Sequence, residues 1–218
     1  MDILITGTSD GIGRATAEYF LERGHSVVGF DRKPPALAQP NYRHEILDIC
    51  DADAYPEDVQ PEILINNAGV QDSGRDIEIN LMGTIRITEK YAIANPRIRA
   101  VVMVGSASAH TGSEFPEYAA SKGGLLTYTK NAALRLAPRA VCNSIDPGGV
   151  LTDLNRPVME DPELWNQIMA LTPLRRWATP EEIAEWIYFV GVRNRFMTGQ
   201  NLLIDGGEAG DAHFVWKD

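Results

Sequence analysis

Short apolar runs rich in β-branched residues alternate with longer amphipathic segments along almost the whole chain, and this alternation restricts the fold more than any single motif does. Strands are predicted over 2–6, 26–30, 43–47 (weak), 62–66, 100–105, 140–145 and 201–204, and helices over 12–23, 76–94, 116–137, 161–170 and 180–190. Parallel neighbours need a crossover that packs back on the sheet, so the rhythm predicts an α/β protein: a three-layer, doubly wound parallel sheet of about seven strands. No repeat or low-complexity tract breaks it. Pro34, Pro35 and Pro40 mark a loop rather than a linker, because no second core lies beyond them, and 1–218 reads as a single domain.

With 20 Lys+Arg against 30 Asp+Glu, the net charge of -10 repels phosphate backbones, so nucleic acid is not an expected partner. Apolar stretches such as 100–104 and 186–190 fall far short of the ~20 residues that span a bilayer, and no membrane role is expected. Ile3-Leu4-Ile5 lacks a basic leader and reads as a strand, not a signal peptide. Cys50 and Cys142 are too few for a disulfide framework, which points to a reducing cytoplasm. No metal site is expected.

Between the first strand and first helix stands Thr6-Gly7-Thr8-Ser9-Asp10-Gly11-Ile12-Gly13. Gly7 suits a tight turn, Gly11 lets the main chain approach a ligand, and Gly13 permits close helix–strand contact. The free N–H groups at the helix start favour a pyrophosphate. The competing reading is an ordinary glycine-rich βα turn, and the GxxxGxG spacing departs from the commoner GxGxxG. Asp31, eighteen residues after Gly13, closes the second strand, where a carboxylate accepts hydrogen bonds from an adenosine ribose. Asp10 adds repulsion against a 2′-phosphate while Arg32 and Lys33 pull the other way; the balance favours NAD, with NADP second. A plain surface carboxylate is the alternative for Asp31.

Tyr118 and Lys122 are four residues apart and so share a helix face. Lowering a tyrosine by three pKa units needs ~4 kcal/mol, and an ammonium at ~4 Å in an effective dielectric of ~20 supplies about that much. Taken alone, the same spacing also describes a surface pair with the tyrosine in the core.

In company these residues resemble the short-chain dehydrogenase/reductase family almost end to end. The glycine loop 6–13, Asn66-Asn67-Ala68-Gly69, Tyr118 to Lys122, Pro147-Gly148-Gly149-Val150-Leu151-Thr152, and the stretch from Thr198-Gly199-Gln200 to Asp205-Gly206-Gly207 occur in the family's order. The resemblance implies a Rossmann-type fold and hydride transfer between NAD and a ketone/secondary-alcohol pair. It implies that Tyr118 is the general acid/base, that Lys122 lowers its pKa and binds the nicotinamide ribose, that Ser106 holds the substrate oxygen, and that Asn80 holds a water linking Lys122 to solvent. Cofactor contacts are implied for Gly7, Ser9, Asp10, Gly11, Ile12, Gly13, Asp31, Asp48 (near adenine), Ile49, Asn66, Ala68, Gly69, Tyr118, Lys122, Pro147, Gly148, Val150 and Thr152. A homo-oligomer, specifically a tetramer built on helices 81–94 and 117–137, is implied as well.

Two departures stand out. Ser106 precedes Tyr118 by twelve residues, one fewer than the usual family pattern, and Ser108 and Ser113 compete with it as the substrate-facing serine. Only ten residues separate Gly69 from Asn80, so one pocket wall looks trimmed. Substrate choice is expected in loops 70–79 and 151–178, with His110, Trp165 and Trp177 as pocket candidates that serve equally well as packing residues. A non-catalytic NAD sensor on the same fold is the rival function, and a protein that binds no nucleotide is the third.

Overall fold

The computed structural model describes residues 1–113 and 115–210, so the reading of one domain over 1–218 reaches beyond the described residues at 114 and 211–218. Seven parallel strands, β1 (Asp2–Thr6), β2 (Ser26–Asp31), β3 (Tyr42–Ile46), β4 (Ile63–Asn66), β5 (Ala100–Val104), β6 (Val141–Pro147) and β7 (Asn201–Ile204), form one sheet in the order β3-β2-β1-β4-β5-β6-β7. The chain winds outward from β1 in one direction and from β4 in the other. Their carboxyl ends part there and leave the crevice in which such sheets bind ligands.

Central strands covered on both faces should be apolar without alternation. Ile63–Asn66 and Ala100–Val104 obey, each buried along its full length. β3 at the edge is instead half-exposed and carries Arg43 and Glu45, charges that discourage pairing with another chain. Two cores result. One joins Leu4, Leu64, Val101 and Met103 to Ile87, Tyr91, Ala132 and Leu136; the other joins Ile3, Ile5, Val102 and Ile145 to Ala17, Phe20, Ile183 and Ile187.

The first core lies under α2 (Thr84–Thr88) and α4 (Pro116–Leu136), the second under α1 (Gly11–Leu21) and α7 (Pro180–Tyr188). α2 is the centre of a helical stretch 77–93 whose flanks, Ile77–Gly83 and Glu89–Ile93, have wider π-type turns. The helical path likewise continues past α7 through Phe189–Arg193 in such turns, three residues beyond the expected end. Short helices absent from the sequence reading are α3 (Ser108–Thr111) and α5 (Arg156–Met159), the latter just before α6 (Pro162–Leu171). Among the described residues no helix is long and apolar enough to cross a membrane.

Candidate active site

The crevice begins at the turn from β1 into α1. Gly7 has φ +79°, and a Cβ on Gly13 would lie 1.9 Å from the Gly7 carbonyl oxygen, so only glycine allows the helix to start this close to the strand. Asn67 fastens the turn to the end of β4 by donating from Nδ2 to the carbonyls of Thr6 and Gly7, both at 3.1 Å. The Thr6 hydroxyl accepts from the main chain of Asn67 and Ala68. No side chain caps the N-terminus of α1, which leaves its N–H groups available to an anion.

Asp31 holds the same loop from the β2 side: its Oδ2 accepts from Ser9 N and its Oδ1 from Lys33 N, both at 2.9 Å. Asp10 pairs with Lys33 at 2.5 Å, and Arg32 approaches Asp48 at 3.8 Å. Asp48 also accepts from Cys50 N, while Ile49 is buried in the core with its carbonyl bound to the Tyr55 hydroxyl. Ile12 packs on the second core. On the far bank, Pro147 closes β6 and Gly148 follows it, Val150 is buried, and Thr152 lies 3.4 Å from where a Gly11 Cβ would sit, so the glycine loop and the 147–152 turn face each other.

The structure brings Gly69, Asn80, Tyr118 and Lys122 together. A Cβ on Gly69 would lie 3.1 Å from Asn80 Oδ1 and 3.5 Å from Lys122 Nζ. Lys122 Nζ sits 5.7 Å from the centre of the Tyr118 ring and donates to the Val104 carbonyl at 2.9 Å. Lys122 is only 5% exposed, and burial pushes its ammonium down to about 8 against the opposing pull of Asp146 and Asp76. Asn80 is fully buried; it donates to the Val70 carbonyl and the Ser121 hydroxyl and accepts from Val70 N. Ser106, two residues beyond Val104, is 8% exposed and accepts from Ser108 N at 3.2 Å. Ser113 is exposed farther along the loop.

The Asn66 side chain points under α2 and meets Thr88 and Met103, leaving only its main chain at the end of the sheet. Trp177 is buried against Gly149 and meets Trp165 edge-on at 4.9 Å, so these two rings pack on each other.

Against known proteins, the family model described as enoyl-(acyl carrier protein) reductase matches residues 60–208. The chain belongs to the short-chain dehydrogenase/reductase family. It is 29% identical to the 3-oxoacyl-[acyl-carrier-protein] reductase of Thermotoga maritima, over 94% of this chain and 96% of that one. Among solved structures it resembles a 4-hydroxyisoleucine dehydrogenase complexed with NADH, at TM-score 0.89 and 27% identity over 97% of this chain and 99% of that one. It also resembles a provisionally assigned 2-deoxy-D-gluconate 3-dehydrogenase of Agrobacterium tumefaciens with bound NADP, at TM-score 0.86 and 26% identity over 96% of each chain. This short-chain dehydrogenase/reductase is an NAD(P)-dependent oxidoreductase acting on CH–OH or ketone groups.

The sequence reading missed three parts of the site. Asn67 stands out in the sequence only as part of a motif. A chain of hydrogen bonds runs beneath the glycine loop from Thr8 to Tyr42 Oη at 2.8 Å, on to His44 Nδ1 at 2.7 Å, and from His44 Nε2 to the Lys33 carbonyl at 2.9 Å. Asp146, paired with His110 at 2.7 Å, is the third. The local signal for Asp146 was a lone charge just past the predicted strand 140–145, the one charged residue between Arg139 and Asp153.

Proposed function

We propose that this enzyme uses NAD in preference to NADP to interconvert a polar secondary alcohol and its ketone, with Tyr118 moving the proton. The observation that carries the reading is the buried Lys122 ammonium, one helical turn from Tyr118 and in reach of Gly69 and Asn80.

The residues present fit a dinucleotide. The tight Gly7–Gly13 turn and uncapped α1 N-terminus suit the pyrophosphate. Each Asp31 oxygen accepts one main-chain N–H and keeps a lone pair for a ribose hydroxyl, which supports NAD. Asp10, paired with Lys33 at the surface, offsets its charge toward a 2′-phosphate, while the exposed Arg32 pulls the other way. Asp48 and Ile49 would border adenine, and Ala68, Gly69, Val150 and Thr152 the nicotinamide end. Bound there, the nicotinamide supplies hydride acceptance and donation.

Tyr118 takes the alcohol proton during oxidation and returns it during reduction. Lys122 favours the phenolate by charge and would bind the nicotinamide ribose. Ser106 donates to the substrate oxygen, and Asn80 fixes the Gly69–Val70 turn against which Lys122 packs. Loops 70–79 and 151–178 form the substrate walls. The exposed Met82 and Leu134, on helices 77–93 and 116–136, support a homo-oligomer, proposed to be a tetramer, that sedimentation at micromolar concentration would test. The two free thiols suit a cytoplasmic setting.

The decisive experiment compares the wild type with Tyr118→Phe, using 2-deoxy-D-gluconate and 4-hydroxyisoleucine for NADH formation and acetoacetyl-CoA for NADH oxidation. Loss of turnover by ~10²–10⁴-fold with NADH binding retained is expected. Equal turnover removes Tyr118 from the reaction, whereas NADH binding without turnover of any probe favours the sensor.

A further inference from the structure

The reaction as described gives no task to Asp146, at the end of β6, although it is completely buried. Its Oδ2 lies 2.7 Å from His110 Nε2 on α3, and its Oδ1 is buried without a hydrogen-bond partner. Leaving such an oxygen without a donor is unfavourable, so its retention calls for an electrostatic reason. The backbone makes room for it: a Cβ on Gly105 would lie 2.0 Å from Asp146 Oδ1, which only glycine avoids. One residue earlier, the Val104 carbonyl accepts from Lys122 Nζ. The unpaired carboxylate oxygen and the buried ammonium therefore flank the same two residues, 104 and 105, without meeting in a direct ion pair.

We propose that Asp146, clamped by His110, is the counter-charge that keeps Lys122 an ammonium, and that this pair sets the alkaline end of the enzyme's working range. Asp146 and His110 are positioning residues here, acting through Lys122, and the inference rests on the role given to Lys122 above. The ammonium is faced by Tyr118 from its own helix, Asp146 from β6 and Asp76 from the segment before α2. Asp146 is faced by His110 from α3, Lys122 from α4 and Ser144 from its own strand. Asp146 acts on Lys122 more strongly than Asp76 does. The Asp76 carboxylate already accepts from Asp72 N, Ser73 N and the Ser73 hydroxyl.

The signs follow from the charges. Burial drives Lys122 down and Asp146 opposes it, so removing that negative charge lets the ammonium deprotonate at lower pH. Burial drives Asp146 up and the His110 hydrogen bond opposes it, so removing the imidazole both raises the carboxyl and releases it from its clamp beside residues 104 and 105, and each weakens its pull on Lys122 in the same direction.

The test is the pH profile of kcat/KM for the wild type, Asp146→Asn, His110→Ala and His110→Gln, on whichever of the three probes the wild type turns over. The alkaline limb should move down by about one pH unit in Asp146→Asn and by less in His110→Ala. It should return toward wild type in His110→Gln, whose amide nitrogen replaces Nε2 as donor. Superimposable limbs overturn the proposal, since a merely structural role lowers the amount of folded enzyme without moving the limb. Should Asp146→Asn not fold, the two His110 variants decide alone. If the wild type turns over none of the probes, the proposed function fails, and melting temperatures from pH 6 to 10 for wild type, Asp146→Asn, Lys122→Met and the double variant test the coupling separately. Non-additivity that changes with pH is expected; additivity at every pH overturns it.

Discussion

Asp31 carries a main-chain N–H on each carboxylate oxygen, so it shapes the glycine loop before any ligand arrives. Replacing it by serine removes two acceptors and a negative charge. NAD affinity should then fall by roughly tenfold, the worth of one or two hydrogen bonds, while the disadvantage of NADP shrinks. Titration of NADH and NADPH by protein fluorescence measures both. Lys122 gives a pH-dependent outcome. Its folded-state value of about 8 lies below the ordinary lysine value, so the unfolded chain binds more protons between the two. Lys122 therefore contributes stability that grows through that window, against the opposite contributions of Cys50, Cys142, Tyr55, Tyr91 and Tyr128, which burial pushes up, so the stability of the ligand-free wild type relative to Lys122→Met should rise with pH there. Thermal melts at pH 7 to 10 show whether it does. The Tyr118–Lys122 pair was legible because both residues lie on one helix at a fixed spacing. The inward turn of Asn66 was not, because its partners Thr88 and Met103 stand 22 and 37 residues away and only the folded sheet brings them near.

α7 owes its start to local chemistry: the Thr179 hydroxyl accepts from Glu182 N, the Glu182 carboxylate accepts from Thr179 N, and Pro180 occupies the first turn. Thr179→Ala should cost ~1 kcal/mol and lower the melting temperature by about 2–4 °C without changing cofactor affinity. A calorimetric scan checks the first and fluorescence titration the second. Arg176 beside Glu182 pulls its carboxyl down to about 2, so the difference between the two proteins should persist well into acid. Strand positions were readable to within a residue or two at most ends, since burial on both faces of β4 and β5 forces unbroken apolar runs. Helix detail was less so. The wide turns flanking α2 and the short α3 arise from packing against distant strands, and no propensity in Ile77–Gly83 or Ser108–Thr111 announces them.

Across the whole molecule, the proposed cofactor site joins pieces that share no secondary-structure element: Asp31 at the end of β2, the glycine loop after β1, Gly69 after β4 and Thr152 after β6. The doubly wound parallel sheet was legible in the βαβ rhythm, whereas the strand order that opens the crevice between β1 and β4 came from the folded sheet. The opposition of Gly11 and Thr152 across that crevice needed coordinates. A ligand that touches both banks binds only the assembled sheet, so its binding free energy adds directly to stability. NADH at 100 times its Kd should contribute ~2.7 kcal/mol, or about 5–10 °C in melting temperature. Gly13→Ala brings a methyl group to 1.9 Å from the Gly7 carbonyl oxygen, which forces α1 and β1 apart at the pyrophosphate seat. That variant should melt lower without ligand, by an overpacking cost of ~1–3 kcal/mol, and should lose most of the NADH shift. Thr152→Ala, on the opposite bank, should keep its ligand-free melting temperature and lose only part of the shift. Differential scanning of the three proteins with and without NADH separates these outcomes, and a full shift retained by Gly13→Ala would mean that the dinucleotide does not lie against the β1–α1 turn.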